Sequence, residues 1–232
     1  MRARGRGGRG DRRRTGTRDV SFADFVLAQL PPPPARVLEV GCGDEGGVAY
    51  ALDAAGYDVL AIDPQAPEGP LFRRKTLEEL DDPGPFDAVV AGRVLHHVQP
   101  LGAGLDKLAR LAPLLVVDEF APERLNGATQ DWYEAQHRAL VASGREPEGP
   151  ARLDHWRAAH SDIAPSGTVL AELRARYDEL AFERRPYLYR WLGGPATEQL
   201  EETLIGVGAI DAVGLRWVGR STIKLWPPGS PG

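Results

Sequence analysis

The sequence predicts an α/β fold with a mostly parallel sheet and helices on both faces. Two observations lead there. From Ala35 onward, apolar runs of strand length alternate with segments whose apolar residues recur at helical spacing. One such run, VLEVGCGDEGG (Val37–Gly47), ends in a carboxylate and then in glycines spaced G-x-G-x-x-G, the join expected where a strand turns sharply into a helix. A length of 232 residues suits one domain with a modest insertion, and 42% apolar residues suffice for its core.

Each element follows from its own stretch. Arg36–Val40 reads as a buried strand. Val48, Ala51, Leu52 and Ala55 then recur at helical spacing, with Gly56 as the stop. Asp58–Ile62 is the next strand, Leu71–Arg73 a weak one and Phe86–Ala91 (FDAVVA) a strong one. Leu101, Leu105, Leu108 and Leu111 share a helical face, and Leu114–Val117 is again a strand. After Phe120 the character changes. Residues 121–165 hold no long apolar run but contain Trp132, Tyr133, His137, His155, Trp156 and His160, with short helices expected at Thr129–Ser143 and Ala151–His160. This reads as a helical insertion and a lid over an acceptor. Trp132 has a second reading, in which it packs down on the core with Ala135, Ala139 and Leu140. Ser166 is expected to cap a helix with the face Val169, Leu170, Leu173, Tyr177 and Leu180. Leu180–Trp191 is expected to be a strand interrupted at Pro186, with Arg185, Tyr187, Tyr189 and Arg190 alternating faces. Pro195 suits a first helical turn, with Leu200, Thr203, Leu204 and Val207 inward and Gly208 as the stop. Ala209–Val218 closes the sheet, and 19–226 is expected to be a single domain.

Charge narrows the partners. Residues 1–18 carry eight arginines and one aspartate, a charge of +7, which against the net −5 leaves −12 on the remainder. An acidic body is unsuited to gripping nucleic acid over a broad face. The tail 1–18 has no apolar stripe and too many glycines to pack, so it is expected to be disordered, as is 227–232. A solvated extension, a translation start placed too far upstream and an Arg/Gly nucleic-acid arm are the competing readings of residues 1–18. No run approaches the length of a membrane span, and the single cysteine, Cys42, excludes an internal disulfide. A cytoplasmic location fits both. Few lysines against many arginines suggest a GC-rich bacterial coding sequence.

The glycine loop carries the chemistry. Gly41 allows the sharp turn, Gly43 lets a ligand approach the main chain, and Gly46 lets the helix sit close to the strand. Asp63 ends the second strand, 22 residues after Gly41, where a carboxylate can accept both ribose hydroxyls of a nucleoside. The plainer alternative is that Asp63-Pro64 only turns the chain.

With these residues in place, the sequence resembles the class I S-adenosylmethionine-dependent methyltransferases, in the group acting on small molecules. The resemblance covers residues 35–120 and runs more loosely to about 219. LEVGCG matches the family's first motif with Glu39 as its acid, and Asp63 matches the second-strand acid. TLEEL (Thr76–Leu80) falls where the family touches adenine, FDAVVAGRVLHHV matches the fourth strand and its turn, and LLVVDEF matches the fifth strand. What the resemblance implies is a Rossmann-like seven-stranded sheet whose last strand is antiparallel, S-adenosylmethionine as cofactor, and cofactor contacts at Glu39, Gly41, Cys42, Gly43, Asp63, Thr76, Leu77 and Gly92. Two positions depart from the family. Thr76 stands where aspartate is common, and the turn ARLAPLL lacks the usual glycine pair. A dinucleotide dehydrogenase shares three glycines and a later acid, but Glu39 beside the first glycine would oppose a pyrophosphate and suits an ammonium and a sulfonium.

Methyl transfer from a sulfonium is an in-line displacement that needs alignment and dryness, and no metal. A base helps only when the acceptor is protonated. Beyond the carboxyl ends of the strands stand His96 and His97, candidates for that base, and Glu119, a candidate to orient or deprotonate the acceptor. Against these roles, a His-His pair at this turn is frequent in enzymes with different acceptors, and Glu119 also reads as a solvated strand end. A non-catalytic S-adenosylmethionine-binding sensor or assembly subunit remains the alternative, as does a protein or nucleic-acid methyltransferase.

Overall fold

The computed structural model describes residues 21–81 and 84–223. The expected tails at 1–18 and 227–232, and the domain ends at 19–20 and 224–226, lie outside the described residues. In chain order the elements are α1 (Phe22–Gln29), β1 (Arg36–Val40), α2 (Ala49–Ala54), β2 (Asp58–Ile62), β3 (Phe72–Arg73), β4 (Ala88–Gly92), α3 (Leu101–Leu111), β5 (Leu114–Phe120), α4 (Gly127–Ala142), α5 (Leu153–Ala159), α6 (Ser166–Arg174), β6 (Tyr177–Arg185), α7 (Tyr189–Leu192), α8 (Pro195–Gly206) and β7 (Gly214–Ser221). Seven strands form one sheet in the order β3-β2-β1-β4-β5-β7-β6. The first five pair in parallel, and β7 runs antiparallel to both β5 and β6. The Rossmann-like fold implied by the sequence is therefore present. Strand order reverses between β1 and β4, and the glycine loop leaves β1 at that switch point, where open α/β sheets bind ligands.

The sheet faces explain the continuous apolar runs. Leu38, Val89, Leu115 and Leu215 pack on one face under α3 and α6. Val37, Val59, Val90 and Val116 pack on the other, under α1 and α2. β4 is buried along its whole length, as a central parallel strand covered on both sides must be. A third, separate core (Phe120, Leu125, Tyr133, Leu153, Leu188, Leu192 and Val213) lies under the helices that follow β5. Tyr133 is fully buried there, and Trp132 is half-buried against it while Ala135 and Ala139 stay exposed.

Five expectations are corrected. Ser166 does not cap α6; Pro165 occupies the cap, and the Ser166 hydroxyl donates to Glu123 instead. Tyr177 and Leu180 leave the α6 face and begin β6, where Tyr177 meets Trp217 edge-on with ring centres 5.8 Å apart. The penultimate strand ends at Arg185, so Tyr187, Tyr189 and Arg190 do not alternate along it; a short helical turn carries the last two. On α8 and at its end, Leu200, Thr203 and Val207 are exposed and the buried residue is Glu201, which accepts the backbone N–H groups of Tyr187 (2.9 Å), Leu188 (3.1 Å) and Tyr189 (2.7 Å). Three donors freed by the end of β6 need an acceptor, and this turns the helix. The last strand accordingly starts at Gly214, not at Ala209. No described helix is long and apolar enough to cross a membrane.

Candidate functional site

Three clefts meet at Gly41, beyond the carboxyl ends of the parallel strands. The first, about 240 Å³, is lined by Gly41, Asp63, Thr76, Leu77, Val94 and His97. The second, about 650 Å³, is lined by Glu39, Cys42, Gly43, Gly92, Arg93 and Arg190, among others. The third, about 400 Å³, is lined by Gly43, Arg93, His96, His97, Trp156 and Tyr187, with His160 beside Trp156. All eight cofactor positions expected from the sequence, and both histidines, thus border these three adjoining clefts. Glu119 does not; it stands fully buried behind His96.

On the glycine side, backbone geometry decides. Gly43 has φ +62°, and a Cβ placed on it would meet nothing within 4 Å, so the main chain is bare toward the cleft. Gly47, at φ +54°, sits on the Glu39 carboxylate; a Cβ there would fall 2.0 Å from Oε1. Glu39 is 2% exposed. Its Oε1 accepts the Val48 N–H at 2.8 Å, while Oε2 is buried without a hydrogen-bond partner. The carboxylate therefore takes the N–H just before α2 for itself, and that donor is not free at the helix entrance. Burial pushes the Glu39 carboxyl up to about 7; the Val48 and Ala49 N–H groups and Arg93 pull it back, and Asp63 adds to the rise. Burial likewise pushes the Cys42 thiol up to about 12, with Glu39 and Asp63 adding to it, so the thiol stays protonated and unreactive.

Asp63 is half-buried, and its Oδ1 accepts the Gln65 N–H at 2.7 Å. The nearby turn is tied twice. The Thr76 hydroxyl accepts the Glu79 N–H at 3.3 Å while Glu79 accepts the Thr76 N–H at 3.0 Å, a reciprocal capping pair. Lys107, reaching from α3, donates to the carbonyls of Leu77 (2.7 Å), Glu78 (3.2 Å) and Leu80 (2.6 Å). Thr76 thus has a local task of its own where the family often places aspartate.

On the opposite side, His96 Nδ1 lies 2.5 Å from Glu119 Oε1, and Glu119 also accepts the backbone N–H groups of Phe120 (2.9 Å) and His96 (3.3 Å). With Glu119 accepting a hydrogen bond from Nδ1–H, the unprotonated ring nitrogen is Nε2. The His97 ring stands 4.1 Å from that of His96; burial, and then the neighbouring imidazole, lower its pKa. Phe120 stacks on Tyr187 at 4.3 Å and meets Trp156 and Trp191 edge-on. Trp156 stacks on His160 at 4.4 Å, and the His160 Nδ1 lies 2.8 Å from the Trp156 carbonyl. Asp118 is shared by Arg190 (2.8 Å) and Arg216 (3.6 Å), and one Arg190 nitrogen, Nη1, is buried without a partner. Among the described residues, no three His, Cys, Asp or Glu side chains converge as a metal site.

The sequence reading missed Phe22 as a cleft residue, and it placed Arg93 at the crevice only within the stretch Gly92–His97, with no role. Phe22, on α1, borders the second cleft, and its ring would touch a Cβ on Gly92 at 3.4 Å. Ser21-x-x-Asp24 ahead of Phe25 and Val26 was the available signal for α1, since the Ser21 hydroxyl accepts the Asp24 N–H at 3.1 Å. No local pattern announces Arg93, whose placement depends on a left-handed φ of +57°.

A sequence profile described as a methyltransferase domain matches residues 14–180. The ubiquinone biosynthesis O-methyltransferase of Xylella fastidiosa (strain 9a5c) is 35% identical over 104 residues, 38% of this chain and 42% of that protein. The protein of the same name in Xanthomonas campestris pv. campestris (strain B100) is 37% identical over 91 residues, 32% of this chain and 37% of its own. The chain therefore spans about two-fifths of the length of these relatives. In fold it is similar to an S-adenosylmethionine dependent methyltransferase from Mesorhizobium loti (TM-score 0.52, 18% identity, 86% of this chain and 98% of that one). It is also similar to magnesium protoporphyrin IX methyltransferase from Synechocystis with bound SAH (TM-score 0.51, 17% identity, 87% and 81%).

Proposed function

Because the chain belongs to the methyltransferase domain family, the class I S-adenosylmethionine-dependent methyltransferases, we propose that it methylates a hydroxyl of a small aromatic acceptor. The observation that carries this reading is the His96–Glu119 pair, 2.5 Å apart, at a cleft of about 400 Å³ shared with the glycine loop.

The residues suit S-adenosylmethionine on two counts. Gly43 leaves an open backbone cradle, and Glu39 Oε2 is a buried acceptor without a partner, suited to a cation. Glu39, Cys42, Gly43 and Gly92 would hold the amino-acid end, and Asp63, Thr76 and Leu77 the nucleoside. When bound, S-adenosylmethionine supplies a methyl group on a cationic sulfur with a neutral leaving group. His96 Nε2 takes the acceptor's hydroxyl proton, and Glu119 fixes the ring and offsets the imidazolium charge. His97 stands between the first and third clefts and confines the reacting atoms. The segment from α4 to His160 forms the lid of the third cleft through Trp156 and His160 and so excludes water. The base at this cleft favours catalysis over a sensor role, which would leave the proton acceptor without a task.

The test has two arms. Titration calorimetry with S-adenosylhomocysteine and with NAD should give binding of the first alone. A transfer assay on simple phenols should give product, at a rate that His96→Ala lowers by roughly 10²–10⁴-fold. Tight NAD binding with none for S-adenosylhomocysteine would reject the cofactor, and full activity of His96→Ala would reject the base.

A further inference from the structure

Arg93 stands at the meeting of the second and third clefts and has no assigned task. Its backbone is left-handed, at φ +57°, which costs a residue with a side chain roughly 1–2 kcal/mol. The position is over-determined: the Arg93 N–H donates to the Asp118 carbonyl at 2.7 Å, and Gly92 pairs with Asp118 in register. Strain held in this way, one residue past the end of β4, turns the side chain out over the clefts. Among the described residues Arg93 forms no ion pair, and it is exposed. The two other arginines at this end, Arg190 and Arg216, share Asp118.

In the third cleft Arg93 stands with three imidazoles (His96, His97 and His160) and the rings of Trp156 and Tyr187, and the single carboxylate there, Asp63, already accepts the Gln65 N–H. A guanidinium that forms no ion pair and stands beside aromatic walls suits a flat anion, because its planar fork matches a carboxylate. Arg93 favours the charge of Glu39 from beyond ion-pair distance. The amino-acid carboxylate of the cofactor has its own candidate partner in the second cleft, the unpaired Nη1 of Arg190.

We propose that the acceptor is a phenol bearing a carboxylate, with Arg93 as the specificity-determining residue that binds the carboxylate while His96 faces the hydroxyl. This rests on the reading of the chain as a phenol methyltransferase. The test compares transfer to 3- and 4-hydroxybenzoate with transfer to their methyl esters, which keep the ring and hydroxyl and lose the charge. In the wild-type chain, kcat/KM for at least one acid should exceed that for its ester by about tenfold or more. Arg93→Gln should bring the ratio near one, and Arg93→Lys, which keeps the charge but not the fork, should restore part of it. Affinity for S-adenosylhomocysteine is measured on every variant. Esters turned over as well as acids by the wild type would overturn the proposal and leave phenol methylation standing. Turnover of none of these phenols would overturn both readings. If Arg93→Gln kept the acid preference but lost S-adenosylhomocysteine affinity, Arg93 would belong to the cofactor and the proposal would fail. Should Arg93→Gln not fold, the wild-type ratio and its change in Arg93→Lys decide alone.

Discussion

Residues 36–63 and residues 119–191 face each other across the same clefts and are held by different means. On the first side the backbone does the placing. Four left-handed glycines (Gly41, Gly43, Gly46 and Gly47) and a buried carboxylate that accepts one of the loop's own N–H groups give the loop its shape. On the second side, side chains place one another. Phe120, Tyr187, Trp156 and Trp191 form an aromatic cluster over a separate core, and Glu201 anchors the segment that carries Tyr187 and Arg190. A backbone-built site tolerates few residue types and serves one ligand. A packed site can change its lining without changing the fold, which suits the side that meets a variable acceptor.

Substitutions test that contrast, and the largest effect belongs to the side-chain half. His96→Ala and Glu119→Gln should lower kcat by roughly 10²–10⁴-fold while S-adenosylhomocysteine affinity stays within about twofold, by steady-state kinetics and calorimetry. Next comes the backbone half. Gly47→Ala puts a methyl 2.0 Å from the Glu39 carboxylate at a left-handed φ and should cost about 2–4 kcal/mol in denaturant unfolding. Gly43→Ala meets open space, so beyond its left-handed strain it should cost cofactor affinity rather than packing. Glu201→Gln leaves one of three buried N–H groups facing a donor and should cost about 1–3 kcal/mol, seen as a lower Tm with a raised acceptor KM. Asp63→Ala should weaken S-adenosylhomocysteine binding at least about tenfold with Tm nearly unchanged.

The smallest effect is a slope with pH. Folding lifts the Glu39 pKa from 4.5 to about 7, so the native state holds a proton that the unfolded chain has already released. This group's contribution to stability therefore falls as pH rises from about 4.5 to about 7 and is level above that. A cation beside Glu39 favours the ionised form. Binding of S-adenosylmethionine should therefore tighten as pH rises toward and past 7, and Glu39→Gln should flatten that dependence in calorimetry.

The same contrast governs how far the sequence could be read. The parallel strands, the glycine loop and Asp63 were legible because each depends on residues close in the chain: an apolar run, a missing side chain, an acid at a strand end. The segment after Phe120 was legible only as helical. Whether Tyr177 continued a helix or began a strand depended on Trp217, forty residues away, and the orientation of α8 on three N–H groups that only the fold brings to Glu201. His96 and Glu119 could be named as candidates from their strand ends, but their pairing spans 23 residues and required the register of β4 and β5. α1 was not legible although its Ser21–Asp24 cap was present, because FADFVLAQ is apolar nearly throughout and shows no single stripe of helical spacing.

Lys107 adds a consequence for motion. Its ammonium moors three carbonyls of the 76–80 turn to a helix that packs on the sheet, so the outer wall of the first cleft cannot drift unless α3 drifts as well. A loop on a rim is ordinarily the first part of a domain to loosen. Here amide exchange across 77–80 should follow α3, and Lys107→Met, a substitution outside that wall, would free it.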